Sequence, residues 1–228
     1  MLDIFLKILF LILAYFVGSI PFGLLFAKIK GVDIRKVNSG NIGATNVGRA
    51  LGMKYAVLTF TGDMLKGALF VVLFRYGIIP DKYMVLSPAL YGICAILGHA
   101  FPIYLKFKGG KCVATASGAV FAYIPLLFPI AVISYFTTFL ISHYSSLGSL
   151  ISALLLAILS FIYVFIIKID YITNVPIDIY MIVLVSFGLI IIYLKHIPNI
   201  KRLINHEEHK IYLTKKTSDE AQTENNEK

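Results

Sequence analysis

The chain is 228 residues long, 58% hydrophobic and only 14% charged, with a formal net charge of +9 and a mean hydropathy of +0.83. Soluble domains average about 45–50% apolar and about 25% charged residues, so an ordinary water-soluble fold is excluded. A disordered chain, a coiled coil and a collagen are excluded as well. This is the composition of an integral membrane protein.

Roughly 20 apolar residues cross a bilayer as a helix, and the first such run is Ile4–Phe26. It lacks the pattern of a cleavable signal: Asp3 and the embedded Lys7 replace a basic start, and no small-residue cleavage site follows. The basic stretch 28–54 comes next and contains Ser39-Gly40-Asn41-Ile42-Gly43-Ala44-Thr45-Asn46-Val47-Gly48-Arg49. Glycines allow positive φ and can turn successive N–H groups toward one point, which makes an anion nest. Ser39 and Thr45 add hydroxyls and Arg49 a bidentate cation. The same residues also suit a glycine-rich turn with an orientation-setting arginine.

The second span, Met53–Phe74, carries Asp63 and Lys66 inside an apolar run. Intramembrane charges are costly, and a spacing of three lets the two pair on one helical face, either as a packing device or as part of a site. After the third span, Met84–Ile103, His99 is followed by Lys108-Gly109-Gly110-Lys111-Cys112 just ahead of apolar sequence. Two glycines at a helix N-terminus with an ammonium beside them suit a phosphate. The alternative is an interfacial lysine after a flexible turn.

The run Val113–Ile141 is too long for one comfortable span and holds Pro125 and Pro129. A break near 123–129 would give two short crossings. Tyr144-Ser145-Ser146-Leu147-Gly148-Ser149 reads as a hydroxyl-rich turn capping a span over Leu150–Ile167. The last span, Ile177–Leu194, leads into Lys195-His196-Ile197-Pro198-Asn199-Ile200-Lys201-Arg202, then Glu207 and Glu208. The polar tail from Thr214 has the composition of a disordered segment.

Charge placement sets the topology. Residues 1–204 carry 17 Lys and Arg against six Asp, whereas the last 24 residues carry four Lys against six acids. Nucleic-acid binding needs basic charge on a soluble face, but here it lies between apolar runs and reads as orientation signal plus an anion site. The basic stretches 28–54, 106–111 and 195–216 belong on the cytoplasmic side. They share it if there are seven crossings, with the N-terminus outside and the C-terminus inside. Cys94 and Cys112 have neither metal nor redox spacing, so no disulfide framework is expected.

Taken together in order, these pieces resemble the bacterial acyl-phosphate:glycerol-3-phosphate acyltransferases, the PlsY family. The match runs from Gly18-Ser19-Ile20-Pro21 through Ser39–Arg49, Gly62-Asp63 with Lys66-Gly67, Gly98–Thr115 and Ser146-Leu147 with Ser149, to His196, Asn199-Ile200, Arg202-Leu203 and Glu208. The resemblance implies an all-α integral membrane bundle of about seven transmembrane helices. One transmembrane acyltransferase domain would cover 1–213, with a polar cytoplasmic tail over 214–228. It implies acyl transfer from acyl-phosphate to glycerol 3-phosphate at the bacterial inner membrane, with the site facing the cytoplasm. Ser39, Arg49, Lys111, Ser146, His196 and Asn199 would be the catalytic set. Gly40, Asn41, Gly43, Thr45, Asn46, Gly109, Gly110, Ser149 and Glu208 would complete substrate binding. Cys112 and His206 stand where the family commonly has glycine, His143 and Ile197 where it commonly has arginine.

The residues support that chemistry independently. Two phosphorylated substrates repel in a low-dielectric cleft unless cations and N–H donors gather around them. An acyl-phosphate is already activated, so positioning and oxyanion stabilisation can supply most of the catalysis. No nucleophile–base pair is evident, which favours direct attack, with the proton going to His196 or to the substrate's phosphate. No metal-ligand cluster or cofactor motif is present, so metal and cofactor independence are expected. A phosphate-ester transporter is the alternative class, but its anion sites lie at the midplane between internal repeats. A CDP-alcohol phosphotransferase would need clustered aspartates for metal. The usual acyl-CoA enzymes need an Asp shortly after a His, and neither His99 nor His196 has one.

Overall fold

The computed structural model describes residues 1–167 and 179–211. Among them are nine α-helices and no strand: α1 (Leu2–Gly18), α2 (Phe22–Ile29), α3 (Ala44–Leu51), α4 (Met53–Arg75), α5 (Pro88–Ala100), α6 (Val113–Tyr123), α7 (Phe128–Ser142), α8 (Ser145–Ile162) and α9 (Ile179–Ile204). Five helical segments are long and apolar enough to cross a membrane, and the bent α1–α2 pair makes a sixth. The turns after α2, α5, α7 and α9 meet at one end of the bundle, so α6 must run opposite to α5 and α7 and supply a seventh pass. The expected tail from Thr214, the 168–178 connection and the start of the last span at Ile177 lie outside the described residues.

The expected continuous span Ile4–Phe26 is corrected to two helices that meet at 42°. Pro21 has no N–H to continue the ladder, and at the break the Ile20 carbonyl accepts from Lys66 Nζ at 2.6 Å. Val113–Ile141 does break at its prolines, through a 3₁₀ turn at Pro125–Leu127. Only one half is short. At 11 residues, α6 rises about 16 Å against the ~30 Å hydrocarbon core, whereas α7 with its 3₁₀ turn reaches 18 residues.

α6 meets the shortfall by being buried among other helices. Its residues Thr115, Ala116, Gly118, Ala119, Val120, Ala122 and Tyr123 are buried, and it packs chiefly on α4, with α5 and α9 nearby. Gly67 of α4 lies against the Thr115 carbonyl and Gly118 of α6 against the Met64 carbonyl, where a Cβ would collide with backbone. Small residues allow such close approach between membrane helices. The main apolar cluster, including Ile96, Ala119, Tyr123, Met181 and Leu184, closes around this contact. Large apolar side chains on α1 and α7, such as Ile8, Ile12, Ile133 and Phe136, point outward, as lipid-facing positions should.

Candidate active site

Three connections and the segment after α9 converge at one end of the bundle. The first is the 30–43 loop with α3. Asn46 is 2% exposed; its Oδ1 accepts from the Ser39 N–H at 3.2 Å, and its Nδ2 donates to the carbonyls of Ile34, Val37 and Asn41 at 3.2, 3.1 and 2.8 Å. Asn46 therefore organises the loop rather than pointing a free amide outward. Asn41 Oδ1 accepts from Gly43 N–H at 2.8 Å, an Asx turn, and Gly40 takes φ +67°. The sequence reading placed all of Ser39–Arg49 in an irregular nest. Instead, Ala44–Leu51 forms a helix that presents Thr45 and Arg49 on its exposed side.

The second connection follows α5. Gly110 N–H donates to the His99 carbonyl at 3.1 Å, and a Cβ at Gly110 would collide with the His99 ring. The expectation of a free phosphate-binding N–H at Gly110 is thus corrected. Gly109 and Gly110 are small because they lie on His99 and Ala100. Cys112 caps α6 with φ +66°, a left-handed conformation.

The third connection is the α7–α8 turn. α8 begins at Ser145 rather than near Leu150, and its N-cap residue, Tyr144, makes no side-chain cap. Ser146 and Ser149 are therefore buried helical residues, a correction to the capping turn. Ser149 Oγ donates back to the Ser145 carbonyl at 2.9 Å. Ser145 Oγ lies 2.8 Å from Tyr135 Oη and 3.4 Å from Thr45 Oγ1, linking α7, α8 and α3.

α9 runs through Pro198 to Ile204, so His196 and Asn199 share a buried face, 2% and 5% exposed. His196 Nδ1 is 2.8 Å from the Ile192 carbonyl; with the proton on Nδ1, Nε2 is left as an acceptor. The chain then reverses. His206 takes φ +57°, its N–H bonds the Leu203 carbonyl at 3.2 Å, and Glu207 N–H bonds the Arg202 carbonyl at 2.7 Å. This pairing is a Schellman stop. Ile211 N–H then donates to the His143 carbonyl at 2.9 Å, laying 207–211 across the α7–α8 turn.

That reversal delivers Glu208 to the centre. Its Oε1 accepts from Ser146 Oγ at 2.8 Å and Asn199 Nδ2 at 2.7 Å, and its Oε2 from Arg202 Nε at 2.7 Å. Burial pushes the carboxyl up, but the hydrogen bonds from Asn199, Ser146 and Arg202 outweigh it and hold Glu208 below the usual glutamate value. Arg49 lies within electrostatic reach of Glu208 and Arg202, and its Nη2 donates to the His209 carbonyl at 3.4 Å. Burial, with the Arg202 and Arg49 charges, brings the Lys111 ammonium down to about 8 against the opposing pull of Glu208.

Three cations and an imidazole surround one carboxylate, an arrangement whose excess positive charge suits phosphate groups. Ser146 Oγ donates to the Glu208 carboxylate rather than to His196, so the two do not form a serine–histidine nucleophile pair. The structure brings Arg49, Lys111, Ser146, His196, Asn199 and Glu208 together. Ser39 is held to Asn46 within the first loop through its N–H, and Ser149 sits one helical turn deeper than Ser146. Sequence reasoning gave no role to Arg202 or Tyr135. Arg202 was detectable as the residue three beyond Asn199 on the same helical face, whereas nothing in an apolar run singles out Tyr135.

A protein-family model described as glycerol-3-phosphate acyltransferase matches residues 8–206. The glycerol-3-phosphate acyltransferase of Bacillus subtilis (strain 168) is 41% identical over 205 residues, covering 89% of this chain and 96% of that protein. That of Aquifex aeolicus (strain VF5) is 41% identical over 207 residues, covering 90% and 99%. The crystal structure of PlsY (YgiH), an integral membrane glycerol 3-phosphate acyltransferase, in its glycerol 3-phosphate form superposes with a TM-score of 0.76 at 35% identity, covering 90% of this chain and 96% of that one. Its lysophosphatidic acid form gives 0.74 at 34% identity. A transporter is not what these relatives are. The chain is an integral membrane protein that belongs to the glycerol-3-phosphate acyltransferase family.

Proposed function

We propose that this acyltransferase takes its acyl group from an acyl-phosphate and transfers it by direct attack. The products are 1-acylglycerol 3-phosphate and inorganic phosphate. The observation that carries the reading is the convergence of Arg49, Lys111 and His196 on the Ser146–Asn199–Glu208 network. Arg49 and Lys111, with Ser39, hold the phosphate of glycerol 3-phosphate. Ser146 and Asn199, aligned by Glu208, orient its glycerol end. Thr45 and the α3 N-terminus, with Gly40, Asn41 and Gly43 shaping the approach, take the donor's phosphate. Ser149 lines the way into the bilayer, where the acyl chain lies.

The acceptor hydroxyl attacks the acyl carbonyl, the new ester C–O bond forms, and the bond from carbonyl carbon to phosphate oxygen breaks. The hydroxyl proton passes to His196 Nε2 and on to the departing phosphate, so the enzyme ends unchanged. The cations spread the charge of two phosphorylated molecules, which is where preorganised electrostatics contribute most. The basic connections at this end of the bundle support a site on the cytoplasmic side of a bacterial inner membrane.

The test offers glycerol 3-phosphate to the purified protein with acyl-phosphate, acyl-CoA or acyl-carrier protein in separate reactions. Release of phosphate and lysophosphatidate from acyl-phosphate, with chelator present, is expected. Turnover with only the CoA or carrier-protein donor would overturn the donor assignment.

A further inference from the structure

We propose that Asp63, Lys66 and His99 form a buried positioning unit that fixes the seat of Lys111 through Gly110. The unit is distinct from the groups that surround Glu208, and it rests on the reading of Lys111 as a phosphate ligand. Asp63 and Lys66 on α4 and His99 on α5 are 3%, 3% and 5% exposed. Lys66 Nζ is 2.6 Å from Asp63 Oδ1 and donates to Ile20 O at the α1–α2 break. His99 Nδ1 is 3.6 Å from the same carboxylate oxygen, near enough to be oriented by its charge and too far for a hydrogen bond.

The next contacts lead directly to the site. The His99 carbonyl holds Gly110 N–H, and its ring leaves no room for a side chain at Gly110. Cys112 Sγ is seated 3.6 Å from the Ile96 carbonyl on α5. Lys111 lies between these two anchors. By contrast, the outer part of its loop, Ile103, Tyr104 and Lys106–Lys108, is exposed. The position of the ammonium is therefore inherited from the α5 side and from the carboxylate behind it. Besides the unit's own members, the other ionisable groups near it are Lys195, which donates to the Ala100 carbonyl at 2.7 Å, and the Cys112 thiol. An ion pair serving only to pack α4 would need no link to this loop, and burying charge is expensive enough to ask what else it does.

The experiment compares His99→Gln and His99→Ala with Lys111→Ala in the full chain. It measures KM for glycerol 3-phosphate, KM for the acyl donor, the pH profile of kcat/KM and thermal stability. Lys111 is faced by Glu208, Arg202, Arg49 and His196, which all remain in the His99 variants. Both variants should raise the KM for glycerol 3-phosphate about tenfold, as a small displacement of a binding group does, with the donor KM little changed. The alkaline limb should move upward from about pH 8 as Lys111 gains water. Lower stability or folded yield with unchanged KM and pH profile would mean a packing role and overturn the proposal, as would failure of both variants to fold. If Lys111→Ala leaves the acceptor KM unchanged, the ligand reading of Lys111 falls and takes this proposal with it. If Lys111→Ala raises it and the His99 variants do not, only the positioning unit is refuted.

Discussion

The two halves of the apolar stretch 113–141 have opposite fates. α6 is built from Ala, Gly, Ser, Thr and Val with single aromatics, and most of it is buried. α7 is more strongly apolar, yet Phe139 is its one buried residue. In water the greasier helix would be the inner one. In lipid, hydrocarbon solvates large side chains as well as a core does, and small surfaces that let backbones approach mark the interior. The buried half begins two residues after Lys111, the residue proposed to hold a phosphate.

Breaking the α4–α6 contact should have the largest effect. Gly118→Val puts methyl groups into the Met64 carbonyl and should cost about 3 kcal/mol or more, read as loss of folded protein in a detergent melting assay. Ile133→Ala on α7, at a position 66% exposed, should change stability by under about 0.5 kcal/mol. Equal effects would end the inside–outside contrast.

At the reactive end, Arg49→Ala removes a charge-assisted contact worth roughly 1.5–3 kcal/mol, so kcat/KM for glycerol 3-phosphate should fall at least about tenfold. A near-normal enzyme would remove Arg49 from the site. Lys111 must be protonated to hold a phosphate, so kcat/KM should be full below its depressed value and fall as pH rises through about 8. Lys111→Arg, permanently charged, should lose that limb even if its overall rate drops. A retained limb would assign the titration to another group. The smallest effect belongs to the turn after α9. His206 is exposed and left-handed, where glycine carries no steric penalty, so His206→Gly should raise stability by about 0.5–1 kcal/mol.

The apolar runs and prolines located nearly every helix, because length and hydrophobicity act locally. What they could not locate was the end of each element. Hydropathy reads Ile4–Phe26 as unbroken because it is blind to the N–H that Pro21 lacks, and α8 starts early because its first turn is fixed by Tyr135 and Glu208. Likewise, Arg49, Lys111 and His196 were legible as basic groups in polar connections. That Asn46 is consumed within its own loop, Gly110 by His99, and Ser146 and Asn199 by a single carboxylate depends on contacts between residues far apart in sequence. No spacing rule encodes those.

The Schellman stop after α9 bears on how the enzyme is made. Glu208, which gathers Ser146, Asn199 and Arg202, is translated after every described helix. An N-terminal fragment on the ribosome can insert its passes, but it cannot align those donors until residues 205–211 have emerged and folded back. On the proposed roles of Ser146 and Asn199, catalytic competence is tied to a finished bundle, and a nascent chain stalled inside α9 would be a membrane protein without an enzyme.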